Sequence, residues 1–356
     1  MSRKILLILP YPPGHAPSQR FRIEHFIPIL EEEGWEVTIA PFLDEATWKI
    51  YHRPGKQIQK LWGLAKGFGR RYRMLFGVRQ FDRVWVHREC APLGLPLIAW
   101  YLKKVANQQY LFEFDDAIWL PNVSAGNRKW SFIKPYGNAK KLMKWSGMNV
   151  AGNDWLKANA EQLNPKSSTL PTIVDTEQNH RFTQDQQTEK PNIGWTGSHS
   201  TLPYLQAHLP ILQKVYEQHP FKLVVISDIQ PTFDFPDLEF IEWSSATEGE
   251  DLLKFHIGIM PLPDETWVNG KCGFKLIQYM SEGIVPVADR LGVNAQVIDH
   301  KKNGFLCSNE EEWTNALLRL LRDHDLRSNM AQGCRPWIEE RYSVASQREL
   351  FLHLLD

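Results

Sequence analysis

Short runs of Ile, Val and Leu alternate along the chain with longer amphipathic stretches. Apolar runs of this length are typical of strands that are buried on both faces of a parallel sheet. In the first half of the chain they predict strands over 4–9, 36–41, 83–87, 110–114 and 149–151. In the second half they predict strands over 192–195, 222–227, 239–243, 257–260, 285–288 and 305–307.

The stretches between these runs place apolar residues at the spacing of one helix face. They predict helices over 20–33, 202–218, 274–281, 310–323, 326–333 and 336–355. Regular alternation of strands and helices favours an α/β fold with parallel sheets. A polar stretch over 176–191 interrupts the alternation and is the linker candidate.

The length of 356 residues suits two domains. We expect a Rossmann-like domain over 1–180, a second one over 181–335, and a C-terminal helix over 336–356. In such domains ligands bind beyond the carboxyl ends of the strands. This architecture therefore predicts a site in the cleft between the two halves.

Charge and cysteine content narrow the range of functions. Lys plus Arg equals Asp plus Glu at 41 each, which argues against a general polyanion binder, nucleic acid included. The four cysteines form no CxxC pair, which favours free thiols in a reducing cytoplasm over a disulfide or zinc framework. The N-terminal apolar run stops at Pro10 and is shorter than a secretory signal. We therefore expect a cytoplasmic protein.

Two stretches of the first half are candidates for chemistry. In the loop 10–22, Gly14 and Arg20 suit a phosphate or polyhydroxyl ligand, and the alternative is a loop with solvated arginines. Asp115 and Asp116 close a buried strand, where a carboxylate can orient or deprotonate an acceptor hydroxyl. The alternative is a helix cap beside a solvated neighbour. Because adjacent strand residues point to opposite sides, we expect at most one of the two in the site, with Asp115 slightly favoured over Asp116.

A small-residue turn follows the first strand of the second half. It contains Gly197 and Ser198 and leads into a helix, as a diphosphate cradle does. Turns of this composition are common, so an ordinary connection is the alternative.

A second glycine-rich turn leads into the helix predicted to begin near Phe274. Here Gly273 stands between Lys271 and Lys275. A helix N-terminus offers N–H groups and the positive end of the helix dipole, so flanking lysines favour a phosphate site. Gln278, one turn further on, is placed to hydrogen-bond ribose hydroxyls.

This last stretch resembles the group 1 glycosyltransferases of the GT-B fold, a family that uses nucleotide sugars. The matching words are GIMPL, GKCGFKLIQYMSEGIVPVA and GVNAQVI, followed by NGFL. Weaker matches are the Gly14 loop, AGNDWL over 151–156 and LPTIVDT over 170–176. The resemblance runs in order through nearly the whole chain and is specific in its C-terminal half.

The resemblance implies two facing Rossmann domains, with the donor nucleotide held mainly by the second and the acceptor mainly by the first. It also implies a last helix that returns to the first domain. The transfer it implies is mostly retaining and independent of metal, because basic side chains and a helix N-terminus stabilise the leaving diphosphate. Asp115 falls where many relatives carry a strand-end histidine near the reacting centre.

The chain departs from the family at the donor site. Two glutamates separated by seven residues in the family correspond here to Gly270 and Gln278. Since Gly270 has no carboxylate, Asp264 or Glu265 is the candidate substitute. The turn TGSHST also lacks the usual Arg and Lys, for which Lys271, Lys275 and Arg20 are the candidate replacements.

A basic, aromatic insert occupies 46–81. It contains nine Lys or Arg and no Asp or Glu, and Leu61, Leu64, Ala65 and Phe68 recur at helical spacing. A basic helix with an apolar face suits an anionic membrane surface. The alternative is a solvated basic helix that packs its apolar face on the first domain.

Together these observations predict a hexosyltransferase-like glycosyltransferase that needs no cofactor. It would move a sugar from a nucleotide diphosphate sugar to a sugar or lipid-linked acceptor, in polysaccharide or glycolipid synthesis. The alternatives are a sugar-nucleotide epimerase and a non-catalytic scaffold of the same fold. We expect a cytoplasmic location. The insert over 46–81 also suggests that the protein could bind peripherally to the inner face of the membrane.

Overall fold

The computed structural model describes residues 2–51, 53, 55–120 and 136–356. The chain divides into two compact units. Unit 1 comprises Met1–Thr172 together with Arg348–Asp356, and unit 2 comprises Ile173–Gln347. The boundary expected from the sequence, after residue 180, lies eight residues beyond this one.

Unit 1 is built on a parallel sheet. Its described strands are β1 (Arg3–Leu9), β2 (Trp35–Pro41), β3 (Arg83–His87), β4 (Tyr110–Phe114), β5 (Met148–Ala151) and β6 (Ser167–Thr169). They pair in parallel in the order β2-β1-β3-β4-β5-β6. All five residues of β4 are buried, which explains why it is apolar at nearly every position.

Helices connect these strands. Those described are α1 (Pro17–Arg20), α2 (Ile27–Glu32), α3 (Glu45–Tyr51), α4 (Gln57–Leu75), α5 (Leu97–Lys104), α6 (Gly137–Trp145) and α7 (Asp154–Glu161). The continuous helix predicted over 20–33 is wrong, because a 3-10 turn at Glu24–Phe26 separates α1 from α2. Pro28 lies in the first turn of α2, where its missing N–H is tolerated, and so favours a restart of the helix there.

Unit 2 repeats the architecture. Its described strands are β7 (Ile193–Gly197), β8 (Leu223–Ser227), β9 (Leu238–Glu242), β10 (Ile257–Met260), β11 (Val285–Asp289) and β12 (Phe305–Cys307). They pair in parallel in the order β12-β11-β10-β7-β8-β9. The prediction of an α/β fold with two parallel sheets is confirmed.

Helices connect the strands of unit 2 as well. Those described are α8 (Leu202–Gln218), α9 (Glu248–Leu252), α10 (Phe274–Ser281), α11 (Asn294–Val297), α12 (Glu310–Arg322) and α13 (His324–Arg341). Trp195 of β7 and Trp313 of α12 are fully buried in one hydrophobic cluster with the strand residues. This cluster fixes the strand ends from which the loops described below emerge.

The C-terminal segment differs from its prediction. A helix was expected to begin at Pro336, but Pro336 lies inside α13, which continues to Arg341. The last helix, α14, spans Val344–His353. Prolines are common at helix starts, so the sequence pattern suggested a new helix where the existing one tolerates the lost hydrogen bond.

The strand order locates a switch point in each unit. In unit 1 the chain places β2 on one side of β1 and β3 on the other, and in unit 2 β8 and β10 flank β7 in the same way. Loops after such strands diverge and leave a crevice at their carboxyl ends. The candidate residues beyond β1, β7 and β10 therefore lie where parallel α/β folds bind ligands.

Candidate functional site

The lysine-flanked turn of unit 2 enters α10 from the strand β10. A 3-10 helix over Thr266–Gly270 precedes it, and Gly273 takes the N-cap position with φ +68°. A Cβ atom on Gly273 would lie 3.0 Å from Val297, so both conformation and space favour glycine. Gly273 has no side chain to cap the helix, and the positive end of the α10 dipole lies at this turn.

Both lysines of this turn lie over tryptophan rings. The Nζ atom of Lys271 is 5.1 Å from the ring centroid of Trp267, and that of Lys275 is 4.3 Å from the ring centroid of Trp195. Tyr204 of α8 also contacts Trp267, with ring centroids 5.9 Å apart. These aromatic faces hold the two ammonium groups near the helix N-terminus.

Lys275 is poorly solvated. The pKa of Lys275 is lowered to about 7, mainly by burial and to a smaller extent by repulsion from Lys271. An ammonium group in this position gains from any anion that neutralises it, because the anion offsets both unfavourable contributions. The electrostatics of the turn thus favour a phosphate or a diphosphate.

Gln278 lies one turn further along α10. Its side chain is 1% exposed, and no residue in the described part of the chain accepts a hydrogen bond from its amide nitrogen. Positions three apart on a helix lie on one face, so Gln278 neighbours Lys275. A buried amide donor without a partner costs about 1–3 kcal/mol, which a ligand hydroxyl would recover.

The small-residue turn after β7 is already hydrogen-bonded. The backbone N–H of Ser198 donates to Thr201 Oγ1 at 3.2 Å, and the next N–H, from His199, donates to Asp228 Oδ1 at 2.6 Å. A Cβ on Gly197 would lie 2.5 Å from the Trp195 ring, so this glycine serves close packing of the turn. Two N–H groups of the expected diphosphate cradle thus have internal acceptors.

The candidate carboxylates before the lysine turn are both on the surface. Asp264 and Glu265 are exposed in the loop after β10. Glu265 accepts a hydrogen bond from Trp267 Nε1 at 2.5 Å, which ties it to the ring under Lys271. The structure brings Glu265 into the aromatic cluster and places Asp264 next to it in the chain.

In unit 1, Asp115 and Asp116 follow β4 and differ in their contacts. Asp115 Oδ1 accepts a 2.6 Å hydrogen bond from Arg88 Nε, while Asp116 accepts from the N–H of Ala117 at 2.9 Å. Burial disfavours the charged form of Asp115, but Arg88, with smaller contributions from His87 and Arg22, lowers its pKa to about 2. Asp115 is therefore ionised at neutral pH and is a weak proton acceptor.

A buried charge network lies directly behind Asp115. Glu113 of β4 accepts from Arg22 Nε at 2.7 Å and pairs with Nδ1 of His87, and all three side chains are at most 1% exposed. Burial would raise the pKa of Glu113, but Arg22 and then His87 overcome it and lower that pKa. His87 Nε2 has no hydrogen-bond partner among the described residues.

Sequence reasoning missed most of this network. It named Arg20 as a candidate rather than Arg22. A usable signal was Glu113, a carboxylate in the middle of a strand that is otherwise apolar, since buried carboxylates need a partner. The tryptophans under the lysines were also missed, because their contacts join residues that are distant in the sequence.

The N-terminal loop is braced by its own side chains. Gly14, at φ +84°, donates its N–H to Glu24 Oε2 at 2.8 Å, and Gln19 donates to the other oxygen of that carboxylate at 2.5 Å. The guanidinium of Arg20 lies 5.0 Å from the Phe21 ring centroid. The structure thus gives the Gly14 N–H an internal acceptor and leaves the Arg20 side chain half-buried.

A cavity of about 90 Å³ lies beside the switch point of unit 1. Tyr11, Arg88 and Glu89 contribute its polar lining. The pKa of Tyr11 is raised to about 12, mainly by burial and to a smaller extent by the negative charge of Glu89. Its hydroxyl therefore keeps its proton at neutral pH. The cavity therefore offers a hydroxyl donor and acceptor near the Arg88–Asp115 pair.

The described residues contain neither a cluster of metal ligands nor a membrane-spanning helix. No group of three or more His, Cys, Asp or Glu side chains there is arranged to hold a metal ion. In the same part of the chain, no helix is both long and apolar enough to cross a membrane.

Residues 190–323 match the family model described as "Glycosyl transferases group 1". A sequence comparison with curated proteins found no match.

Solved structures match the chain over its full length. Sucrose-phosphate synthase from Thermosynechococcus elongatus matches with a TM-score of 0.70 at 11% identity, covering 99% of this chain and 98% of that one. HepE of Anabaena, solved in complex with UDP-glucose, matches with a TM-score of 0.66 at 13% identity, covering 100% of this chain and 99% of that one. The catalytic domain of starch synthase IV from Arabidopsis thaliana, bound to ADP and acarbose, matches with a TM-score of 0.67 at 13% identity. The match covers 99% of this chain and 98% of that one. At these identities the likeness establishes the two-domain GT-B fold.

Proposed function

We propose that this chain, whose second unit carries a group 1 glycosyltransferase domain, transfers a sugar from a nucleoside diphosphate sugar to an acceptor hydroxyl. The observation that carries the proposal is the entry to α10. There Lys271, Lys275 and the N-terminus of α10 meet beyond the carboxyl end of β10. This combination suits a diphosphate that must be bound and then released as a leaving group.

The donor would bind with its diphosphate against the turn formed by Lys271, Gly273, Phe274 and Lys275. As the bond from the sugar to the diphosphate breaks, negative charge grows on the diphosphate oxygens. The α10 dipole and the two ammonium groups are already in place to stabilise that charge. Binding would also restore full protonation of Lys275, because the diphosphate favours its charged form.

The remaining donor contacts would come from side chains around this turn. The buried amide of Gln278 would donate to a ribose hydroxyl, which supports its assignment because the amide nitrogen has no partner among the described residues. Ser198, beside Gly197, and Asp264 would contact the outer part of the donor, since Ser198 follows β7 and Asp264 follows the neighbouring strand β10. Their hydroxyl and carboxylate suit the hydroxyls of a sugar.

On the acceptor side, Asp115 would orient the acceptor hydroxyl as a hydrogen-bond acceptor. Its pKa of about 2 makes it a poor general base, so orientation is the role that its chemistry supports. Arg88 fixes its carboxylate, and Asp116 is the alternative acceptor of the same hydroxyl. Gly14 and Arg20 would border the acceptor from the first loop.

We further propose that the transfer is retaining and needs no metal ion. Support comes from the lysines and the helix N-terminus, which supply the positive charge that a divalent cation provides elsewhere. The acceptor would be a sugar or a lipid-linked sugar in polysaccharide or glycolipid synthesis. Exposed apolar and basic helices on unit 1 support the lipid-linked form.

The donor assignment is tested by calorimetry with nucleoside diphosphates. The double variant Lys271→Ala/Lys275→Ala should bind UDP or ADP at least tenfold more weakly than the unaltered chain, since each lost charged hydrogen bond contributes about 1.5–3 kcal/mol. Lys214→Ala, a surface lysine of the same unit that pairs with Glu310, is the matched control and should not change affinity. Equal affinity in the double variant would remove the donor site from α10.

The reaction class is tested with a panel of nucleotide sugars and acceptors. A transferase releases nucleoside diphosphate only when an acceptor is present, and the product carries the sugar. An epimerase would convert the nucleotide sugar without an acceptor, and a scaffold would show neither reaction nor thermal stabilisation by any nucleotide. Either of the last two results would contradict the proposed transfer.

A further inference from the structure

Helix α4 packs closely against the rest of unit 1 through small residues. A Cβ on Gly63 would lie 2.3 Å from the Thr47 side chain, and one on Gly67 would lie 2.7 Å from the Phe42 ring. One turn further, the buried Arg71 donates to three backbone carbonyl oxygens, at distances of 2.5–2.8 Å. These positions recur every four residues, so one face of the helix is committed to packing.

The apolar side chains of α4 lie mainly outside this packed face. Ile58 is 84% exposed, Trp62 64% and Phe76, at the end of the helix, 91%. The sequence suggested an apolar stripe that includes Leu61, which is also exposed. Glycines therefore let one face of this helix pack closely on unit 1, while Ile58, Leu61, Trp62 and Phe76 face outward.

The neighbouring helices continue the exposed surface. Helix α4 packs against α5, and α5 packs against α6. Leu97 and Trp100 of α5 are exposed, and with Lys141 and Trp145 of α6 they line a shallow groove of about 250 Å³. The three helices thus form one surface of unit 1, which we call the α4–α6 face.

The charge of the α4–α6 face has a single sign. Its three helices contain ten Lys and Arg and no Asp or Glu. Arg71 is buried, but Lys66, Arg73, Lys104 and Lys140 are exposed. Large apolar side chains are therefore mixed with cations over the whole face.

We propose that unit 1 docks on the surface of an anionic lipid bilayer through the α4–α6 face. Apolar and aromatic side chains insert at the boundary between head groups and acyl chains, while basic side chains pair with anionic head groups. The contact is peripheral, since no helix in the described ranges of the chain is able to span a bilayer. The docking does not depend on sugar transfer, so the two proposals fail separately.

The composition of the face favours lipid over other occupants. A second copy of this chain bound symmetrically would bring two positive surfaces together without acidic partners. A nucleic acid would pair with the cations, but it would leave Ile58, Trp62 and Phe76 without an apolar partner. A bilayer satisfies both kinds of side chain.

Flotation of the full chain with vesicles tests the proposal. We expect binding to phosphatidylcholine vesicles that contain phosphatidylserine, weak binding to phosphatidylcholine alone, and weaker binding at high salt. The variant Lys66→Gln/Arg73→Gln should lower the partition coefficient on anionic vesicles about thirtyfold, since each basic residue near the surface contributes roughly fivefold. Trp62→Ser/Phe76→Ser should lower it at least as much.

Matched variants on unit 2 keep the test specific. Lys190→Gln/Lys302→Gln and Phe182→Ser/Ile229→Ser remove exposed basic and apolar side chains of unit 2 and should leave vesicle binding unchanged. All four variants alter surface positions, and unchanged melting temperatures verify that they fold. The proposal is overturned if the full chain does not bind anionic vesicles, if the α4 variants bind as well as the unaltered chain, or if the face instead mediates self-association or nucleic-acid binding.

Discussion

The two units share an architecture and carry opposite charge. Unit 1 contains 26 Lys and Arg against 16 Asp and Glu, whereas unit 2 contains 15 against 25. The neutral chain is therefore a unit of formal charge +10 joined to one of −10. The candidate diphosphate site nevertheless lies in the negative unit. Local features bring cations to the phosphate there, namely a helix N-terminus and two lysines over aromatic rings.

The charged side chains of the candidate site in unit 1 are paired within the fold, whereas Lys275 in unit 2 is a poorly solvated cation. In unit 1, Glu113 pairs with Arg22 and His87 inside the fold, and Asp115 pairs with Arg88. In unit 2, Lys275 is held against the Trp195 ring in a setting that lowers its pKa to about 7. Internal pairs stabilise a geometry before any ligand arrives, while a poorly solvated cation favours ligand binding. The comparison predicts opposite responses when each charge is removed.

The largest effect is expected from Arg22→Met in unit 1. It would leave Glu113 buried without its strongest partner, so the free energy of unfolding should fall by about 3–5 kcal/mol. Arg73→Met, at an exposed position of α4 in the same unit, is the control and should change it by about 0.5 kcal/mol or less. Denaturant unfolding followed by fluorescence measures both. Equal stability of the two variants would mean that the Arg22–Glu113 pair is not a structural anchor.

Removal of the Lys275 ammonium group in unit 2 should have the opposite effect and raise the free energy of unfolding. Below pH 7 the folded, ligand-free chain carries the whole cost of a poorly solvated ammonium group, so Lys275→Met should raise its stability by about 1–3 kcal/mol. The gain should shrink as pH rises from 7 towards 10.5, where the unfolded lysine also loses its proton. Thermal unfolding without nucleotide, at several pH values, checks this. A destabilised variant at neutral pH would show that Lys275 is well solvated.

The smallest effect concerns ligand binding as a function of pH. Since free Lys275 loses its proton near pH 7, affinity for a nucleoside diphosphate should fall by up to about tenfold per pH unit above that value. Lys275→Met should be weaker overall but flat over the same range, whereas Lys271→Ala should keep the slope. Calorimetry between pH 7 and 9 separates the curves, and parallel slopes for all three proteins would assign the titration to another group.

The strands were predictable because a buried parallel strand is apolar along most of its length. Eleven described strands lie at or within about two residues of their predicted bounds, β4 being one example. The missed strand, β6, reads Ser-Ser-Thr and is only half-buried, so it carries no apolar signal. The break between α1 and α2 was missed because apolar spacing continued across it, while Pro28 set the restart.

The candidate sites were only partly predictable. The lysines around Gly273 are close in sequence, so their spacing alone suggested an anion site. Arg22 and Glu113, in contrast, are 91 positions apart, and their contact depends on how β1 and β4 are arranged in the sheet. The opposite charges of the units were hidden in a total of zero, although separate counts on each half would have shown them.

The last nine residues, Arg348–Asp356, belong to unit 1 although unit 2 precedes them in the chain. Phe351 stacks on Phe26 with ring centroids 4.0 Å apart, and Arg348 pairs with Glu32 and Glu33. A fragment truncated at Thr172 would consequently lack part of its own core. Expression of unit 1 by itself requires the C-terminal peptide to be supplied as a separate chain or fused through a linker in place of unit 2.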